Sequence, residues 1–236
     1  MAIDYNKAVR LLRRKAKPMY IDRGANSWEH VNQDLNNGKK MLQKVYNREY
    51  TLPEYAAILF HDSSVKAENG NKENHALHSA QLSRPMLQAT GLFNDQELDD
   101  IYTAIAEHDT YVDPDGPRTG KLSDLLASAD ANPIDYPWTI NKGYIWGVRH
   151  GYSDEENMPR TADALREYYG SNTERQYPEL YKKYYGKHIQ DMHDFFDKLN
   201  GEGVREILAA YRKKHRLGPG DLRMPNPDPE YLDKTR

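Results

Sequence analysis

Cysteine is absent from these 236 residues, which removes disulfide scaffolds, zinc fingers, iron–sulfur clusters and thiol nucleophiles together. Any metal must therefore rest on histidine, aspartate and glutamate. Apolar runs are short as well: none nears the roughly 18 residues that a membrane-spanning helix needs. The opening stretch MAIDYNKAVRLLRRKAK lacks the apolar segment and small-residue cleavage site of a secretory signal. A cytoplasmic protein with no membrane partner is expected. Nor does one sign of charge dominate: 33 Lys and Arg stand against 36 Asp and Glu, a formal net charge of −3, too balanced for a dedicated nucleic-acid binder. No period of about 20 to 50 residues recurs, which sets solenoids and arrays aside.

What is present is enough apolar material for a core, 38 % of the chain, beside 29 % charged residues and nine histidines. The charge is unevenly spread. Residues 1–50 hold 11 basic and 5 acidic groups, residues 51–150 hold 7 and 15, and residues 151–236 hold 15 and 16. An acidic middle rich in histidine is either a solvated face or a divalent-cation site, and spacing has to decide.

The periodicity is helical throughout, so an all-α fold is expected. After a candidate N-cap at Ser27, apolar residues recur at Trp28, Val31, Leu35, Leu42 and Val45, with His30 in the first turn. A second helix opens near Thr51 with Pro53 in its first turn and runs through AAILF to the pair His61-Asp62. A third spans about Lys72 to Thr90 through His75 and Leu82, with Pro85 as a kink. Asn94 and Glu97 form a capping-box signature for a fourth, whose Leu98, Ile101 and Ile105 lead to His108. Tyr111 to Gly120 reads as a loop, followed by a fifth helix through Leu122, Leu125 and Ala129 to Asp130. From Pro133 the pattern predicts an irregular stretch holding Pro137, Trp138, Tyr144 and Trp146. Helices near 159–170, 174–185, 187–199 and 203–216 follow, with Gly186 and Gly201 at C-cap positions.

His30, His61, Asp62, His75, His108 and Asp130 thus each lie on or at the end of a mainly apolar helix. One such histidine is usually a hydrogen-bonded core residue. Six polar residues in this order point elsewhere, because a carboxylate that ends an apolar run must bind something positive or take up a proton. A shared metal answers that cost for all six.

These residues resemble the HD-domain metal-dependent phosphohydrolases, whose signature is a His, a His-Asp pair and a distant Asp, with two further histidines between them in the binuclear branch. The likeness covers about residues 20–135: His30 in SWEHV, His61-Asp62 in ILFHDSS, His75 in ENHALHSA, His108 in AIAEHD and Asp130 in LLASADAN. His78 offers the same donor one turn beyond His75; the H-x-x-x-S-A pattern favours His75. The chain is thus expected to fall into four segments: a basic helical stretch over 1–19, the metal-binding helical core that carries the resemblance over 20–135, a helical extension over 136–216 read from its apolar periodicity alone, and an extended or disordered tail over 217–236. The resemblance implies that Asp62 bridges two ions, with His30, His61 and Asp130 on the first and His75 and His108 on the second.

Imidazole and carboxylate donors without sulfur suit Mn, Fe, Co, Ni or Zn ions, with Mg²⁺ an alternative at the second position. Such an ion lowers the pKa of a bound water to roughly 7 and so makes hydroxide available for attack on phosphorus. The expected substrate is a small phosphorylated metabolite, a nucleotide by family habit, with the rings of Tyr136, Trp138, Tyr144 and Trp146 offering faces for a base to stack on. Asp62, Lys66 and His78 are the candidate catalytic residues. Lys66, Arg84, Arg118 and Lys121 are candidates for phosphate binding. The alternatives are a mixed-valent di-iron oxygenase on the same ligands, a nuclease using the LLRRKAK run, and a noncatalytic protein with a structural metal.

Overall fold

The computed structural model describes residues 4–20, 27–64, 74–108, 120–131, 135–172, 177–218 and 221–223. These form ten α-helices and one 3-10 turn, with no strand among the described residues. The all-α expectation holds. None of the described helices is long and apolar enough to cross a membrane. Contacts divide the chain into two compact units, 1–132 with 176–184, and 133–175 with 185–236.

The first unit is built on α3 (Leu52–Phe60), against which α1 (Tyr5–Ala16), α2 (Trp28–Tyr46), α5 (Asp95–Ala106) and α6 (Lys121–Asp130) pack. Five consecutive residues of α3, Ala56 to Phe60, are fully buried, as befits a helix enclosed on all sides. Its start is fixed by a capping box. The Thr51 hydroxyl accepts from the Glu54 amide, and the Glu54 carboxylate accepts from the Thr51 amide at 2.8 Å while Arg48 donates to both of its oxygens at 2.8 and 2.7 Å. α2 opens at Ser27, whose hydroxyl accepts from the His30 amide. Arg13 pins that opening: its guanidinium donates to the Tyr55 hydroxyl at 2.9 Å and to Asn32 at 2.5 Å and lies 4.9 Å from the Trp28 ring. One member of the basic N-terminal run is therefore an internal clamp. α4 (His75–Gln88) accommodates Pro85, and the Asn94–Glu97 capping box starts α5.

Gly38 sets how closely α2 approaches its neighbours. A β-carbon there would run into the Tyr50 hydroxyl and lie 3.2 Å from both Ala129 Cβ and Ile58 Cδ1. The Tyr50 hydroxyl is itself tied down, donating to the Leu35 carbonyl at 2.8 Å. The start of α9 (Glu179–Lys198) is held by α6. The Asp124 carboxylate accepts from the amides of Glu179 at 2.6 Å and Leu180 at 3.0 Å, and the Ser128 hydroxyl accepts from the Tyr181 amide at 3.1 Å.

The second unit corrects several expectations. The stretch expected to be irregular is helical: α7 (Tyr136–Arg149) begins because Asp135 accepts from the Trp138 amide at 3.0 Å and Pro137 falls in the first turn, where its missing N–H costs nothing. α8 (Asp154–Tyr169) starts at a Ser153–Glu156 capping box, five residues ahead of the expected 159, and carries Pro159 inside it. The helices expected at 174–185 and 187–199 are present as two helical runs within α9, separated by non-helical backbone at Tyr185 (φ −115°, ψ 17°), the first of them beginning at Glu179 and not at 174. Gly186 directly follows that break, at the end of the first helical run, without left-handed backbone. Gly201 is the first residue of α10 (Gly201–Lys214), capped by Asn200, whose side chain accepts from the Gly203 amide at 2.9 Å. α7, α8 and α10 pack on one another around Ile140, Met158, Leu165 and Leu208. The expected extended tail lies outside the described residues except at 217–218 and 221–223.

Candidate metal centre

Five elements of the first unit bring the expected histidines and aspartates to one cluster. His30 comes from the first turn of α2, His61 and Asp62 from the turn leaving α3, His75 from the first position of α4, His108 from the turn after α5, and Asp130 from the end of α6. Around His30 Nε2 lie Asp130 Oδ1 at 3.1 Å and Asp62 Oδ2 at 3.6 Å; around His61 Nε2 lie Asp62 Oδ2 at 3.4 Å and Asp130 Oδ1 at 3.7 Å. On its other side, Asp62 Oδ1 stands 3.3 Å from His75 Nε2 and 3.6 Å from His108 Nε2, and those two nitrogens are 3.2 Å apart. Asp62 therefore divides its two oxygens between two imidazole pairs. Donors each about 2.0–2.2 Å from a shared ion must themselves lie about 3–4 Å apart, and these do.

The sequence reading missed one member. Asp34, fully buried, places its Oδ2 3.3 Å from His30 Nε2 and 3.8 Å from His61 Nε2. The spacing i, i+4 from His30 puts both side chains on one helix face. In the polar string VNQDLNN, that aspartate looks like part of a solvated surface.

The histidine tautomers show what the cluster lacks. A backbone carbonyl can only accept, so Nδ1 of His61, 2.8 Å from the Ile58 carbonyl, and Nδ1 of His108, 2.7 Å from the Ile105 carbonyl, both carry hydrogen. In the neutral ring each Nε2 then presents a lone pair to the cluster. The Nε2 of His61 is completely buried and makes no hydrogen bond, although carboxylate oxygens surround it. Lone pairs facing carboxylates are tolerable only with a cation among them, a proton or a metal ion. Burial by itself favours the neutral imidazoles, yet the neighbouring carboxylates outweigh it: Asp34 and Asp130 hold His30 at about 9, and Asp62, Asp130 and Asp34 hold His61 at about 10. Burial would likewise raise the two aspartates. Instead, His30 and His61 pull Asp130 down to about 2, and His61, His108 and His75 hold Asp62 well below the usual carboxylate range. The donor set fits divalent transition ions, and His30, Asp34, His61 and Asp130 form one group able to hold a metal, His61, Asp62 and His108 another.

The support of His75 is visible one layer out. The Ser64 hydroxyl donates to the His75 carbonyl at 3.1 Å, and Ser79 both donates to Ser64 Oγ and accepts from the Ser64 amide, each at 3.1 Å. The serine of H-x-x-x-S-A thus ties α4 to the turn that carries Asp62. His75 is buried and His78 is exposed.

The other candidates fare unevenly. Lys66 and Arg118 lie outside the described residues, as does nearly all of the expected 111–120 loop. Arg84 is not brought to the cluster: it sits nine residues along α4 from His75, half a turn round the helix and about 13 Å further along its axis, and its guanidinium pairs with Asp99 at 2.5 Å. Lys121 stands in the same relation to Asp130 on α6 and is exposed. The aromatic residues proposed for base stacking are engaged within the second unit. Tyr136 stacks on Phe195 at 4.4 Å, the Tyr144 hydroxyl donates to Asp154 at 2.7 Å, Trp138 lies under Lys142 at 5.4 Å, and Trp146 stacks on His150 at 3.9 Å.

No protein-family model matches the sequence, and no curated protein matches it. Among solved structures, the chain is similar to the crystal structure of a predicted HD superfamily hydrolase from an uncultured Thermotogales bacterium. The two are 17 % identical, with 88 % of this chain and 92 % of that chain covered and a TM-score of 0.45.

Proposed function

We propose that this protein is a metal-dependent phosphohydrolase, cleaving the phosphoester of a nucleotide or another small phosphorylated metabolite. The observation that carries the reading is the placement of Asp62, with Oδ2 among His30, His61 and Asp130 and Oδ1 among His75 and His108. When bound there, divalent ions supply Lewis acidity toward a phosphoryl oxygen and a hydroxide source near neutral pH.

The chain's own residues do the rest. His61 and His108 are held in one tautomer by the carbonyls of Ile58 and Ile105, so their donor atoms need no reorganisation when an ion enters. Ser64 and Ser79 keep the start of α4 against the Asp62 turn. Within the cluster, His30 and Asp130 retain 21 % and 15 % side-chain exposure, so a substrate reaches it beside them. Lys66 and Arg118 remain the cations proposed to meet the phosphate; Arg84, occupied by Asp99, is withdrawn from that role.

The test is phosphate release from a panel of nucleotides and sugar phosphates, using protein purified without chelator. Release should depend on Mn²⁺, Co²⁺ or a similar ion and stop with EDTA, and solvent-labelled oxygen should appear in the phosphate and not in the alcohol. Turnover that ceases under strict anaerobiosis would replace this reading with the oxygenase.

A further inference from the structure

Five protein donors, and not the four that the histidine–aspartate pattern predicts, converge on the His30 side of Asp62. Asp34 Oδ2 is as near to the two imidazole nitrogens, at 3.3 and 3.8 Å, as Asp62 Oδ2 is, at 3.6 and 3.4 Å. One Asp34 carboxylate oxygen also lies within 4.8 Å of a donor atom of Asp130. An independent sign that something positive belongs among these atoms is His61 Nε2, wholly buried and without a hydrogen bond. A carboxylate merely orienting His30 would engage the ring through Nδ1, the nitrogen turned away from the cluster. Asp34 instead faces Nε2, the nitrogen turned toward it.

We infer that Asp34 is a fifth ligand of the ion held by His30, His61, Asp62 and Asp130. This makes the two positions unequal, and it rests on the metal reading above. The first position then offers three carboxylates and two imidazoles; the second offers one shared carboxylate and the imidazoles of His75 and His108. Three negative charges around a divalent ion over-neutralise it, and a donor set weighted toward carboxylate suits Mn²⁺ and Fe²⁺. The first ion is the tightly held one. The second, with fewer protein donors, exchanges readily.

The experiment is Mn²⁺ binding by calorimetry and equilibrium dialysis on the whole chain, wild type against Asp34→Asn and His75→Ala, with circular dichroism on each. A wild-type crystal soaked in Mn²⁺ and read by anomalous scattering accompanies it. Expected are two affinity classes in the wild type. Asp34→Asn should weaken the tight class by about tenfold or more, the scale on which metal-site supports are felt, and leave the weak class, whereas His75→Ala should do the reverse. In the crystal, the first ion should lie about 2.0–2.3 Å from an Asp34 oxygen. An unchanged tight class in Asp34→Asn overturns the inference, as does an ion bonded to His30, His61 and Asp130 with Asp34 beyond about 3.5 Å. The crystal arm decides the matter even if the variant fails to fold. Wild-type protein that binds no Mn²⁺ at all would overturn the metal reading itself, a result distinct from either of these.

Discussion

Asp62 is the residue on which both halves of the cluster depend. Losing it should cost both ions, whereas losing His75 should cost only the second. Asp62→Ala and His61→Ala are therefore expected to lose bound transition metal and all phosphate release while the helical signal persists. Metal analysis with circular dichroism checks this, and full occupancy in Asp62→Ala would sink the assignment of its role. At this scale the histidines were legible because each interrupts an apolar helical pattern and so advertises its own burial. His75 could be preferred over His78 from H-x-x-x-S-A, and the structure supplies the reason in the Ser79–Ser64 hydrogen bond. Asp34 could not be read this way. Its neighbours Asn32, Gln33, Asn36 and Asn37 mask the one position in that string whose carboxylate points into the cluster.

Several helix starts are legible because their capping residues are local, although the equally local Ser153–Glu156 box of α8 and the Asn200 cap of α10 do not stand out in the sequence pattern. Ser27, Thr51 and the Asn94–Glu97 pair each act within three residues of the start they mark. The start of α9 has no such signal, because its cap is Asp124, fifty-five residues earlier in the chain. Asp124→Ala should remove acceptors for two amides and cost about 0.5–2 kcal/mol, the usual price of a lost N-cap. Urea denaturation would show it, and an unchanged midpoint would mean that the cap contributes nothing. α7 is hidden for a different reason, since its cap is local: Pro137 looks like a breaker unless Asp135 is recognised as the cap before it. Gly38 makes a second prediction for the elements. In Gly38→Ala, the new methyl would press on Tyr50, Ala129 and Ile58, and overpacking of this kind costs about 1–3 kcal/mol. Since Ala129 adjoins Asp130 and Ile58 supplies the carbonyl that orients His61, Mn²⁺ affinity should fall along with stability. A variant that loses stability but binds Mn²⁺ as the wild type does would show that the helix spacing does not govern the site.

For the molecule as a whole, a cluster able to hold a metal would couple folding to both pH and metal. In the metal-free protein, His30 and His61 titrate at about 9 and 10, against about 6.5 in an unfolded chain. A raised pKa means that the folded state binds the proton more tightly. That stabilisation is complete below about pH 6.5 and is lost as pH rises through 9 and 10. Asp130 works in the opposite sense: held at about 2, it stabilises the fold above its unfolded value and stops doing so as pH falls through 2. The metal-free protein should thus be most stable between about pH 4 and 6.5. A metal ion takes the place of those imidazole protons, so its binding releases protons and tightens as pH rises. Ions that bind only the folded state raise its stability by about 2.7 kcal/mol at a hundredfold excess over Kd. Thermal unfolding with Mn²⁺ and with EDTA, at about pH 6 and about pH 9, should show a Tm difference that is small at the lower pH and clearly larger at the higher one. The EDTA-treated protein should itself melt lower at the higher pH. If the Mn²⁺-induced shift is the same at both, protons and metal are not competing for these imidazoles, and the ion that stabilises the chain is bound somewhere other than at His30 and His61.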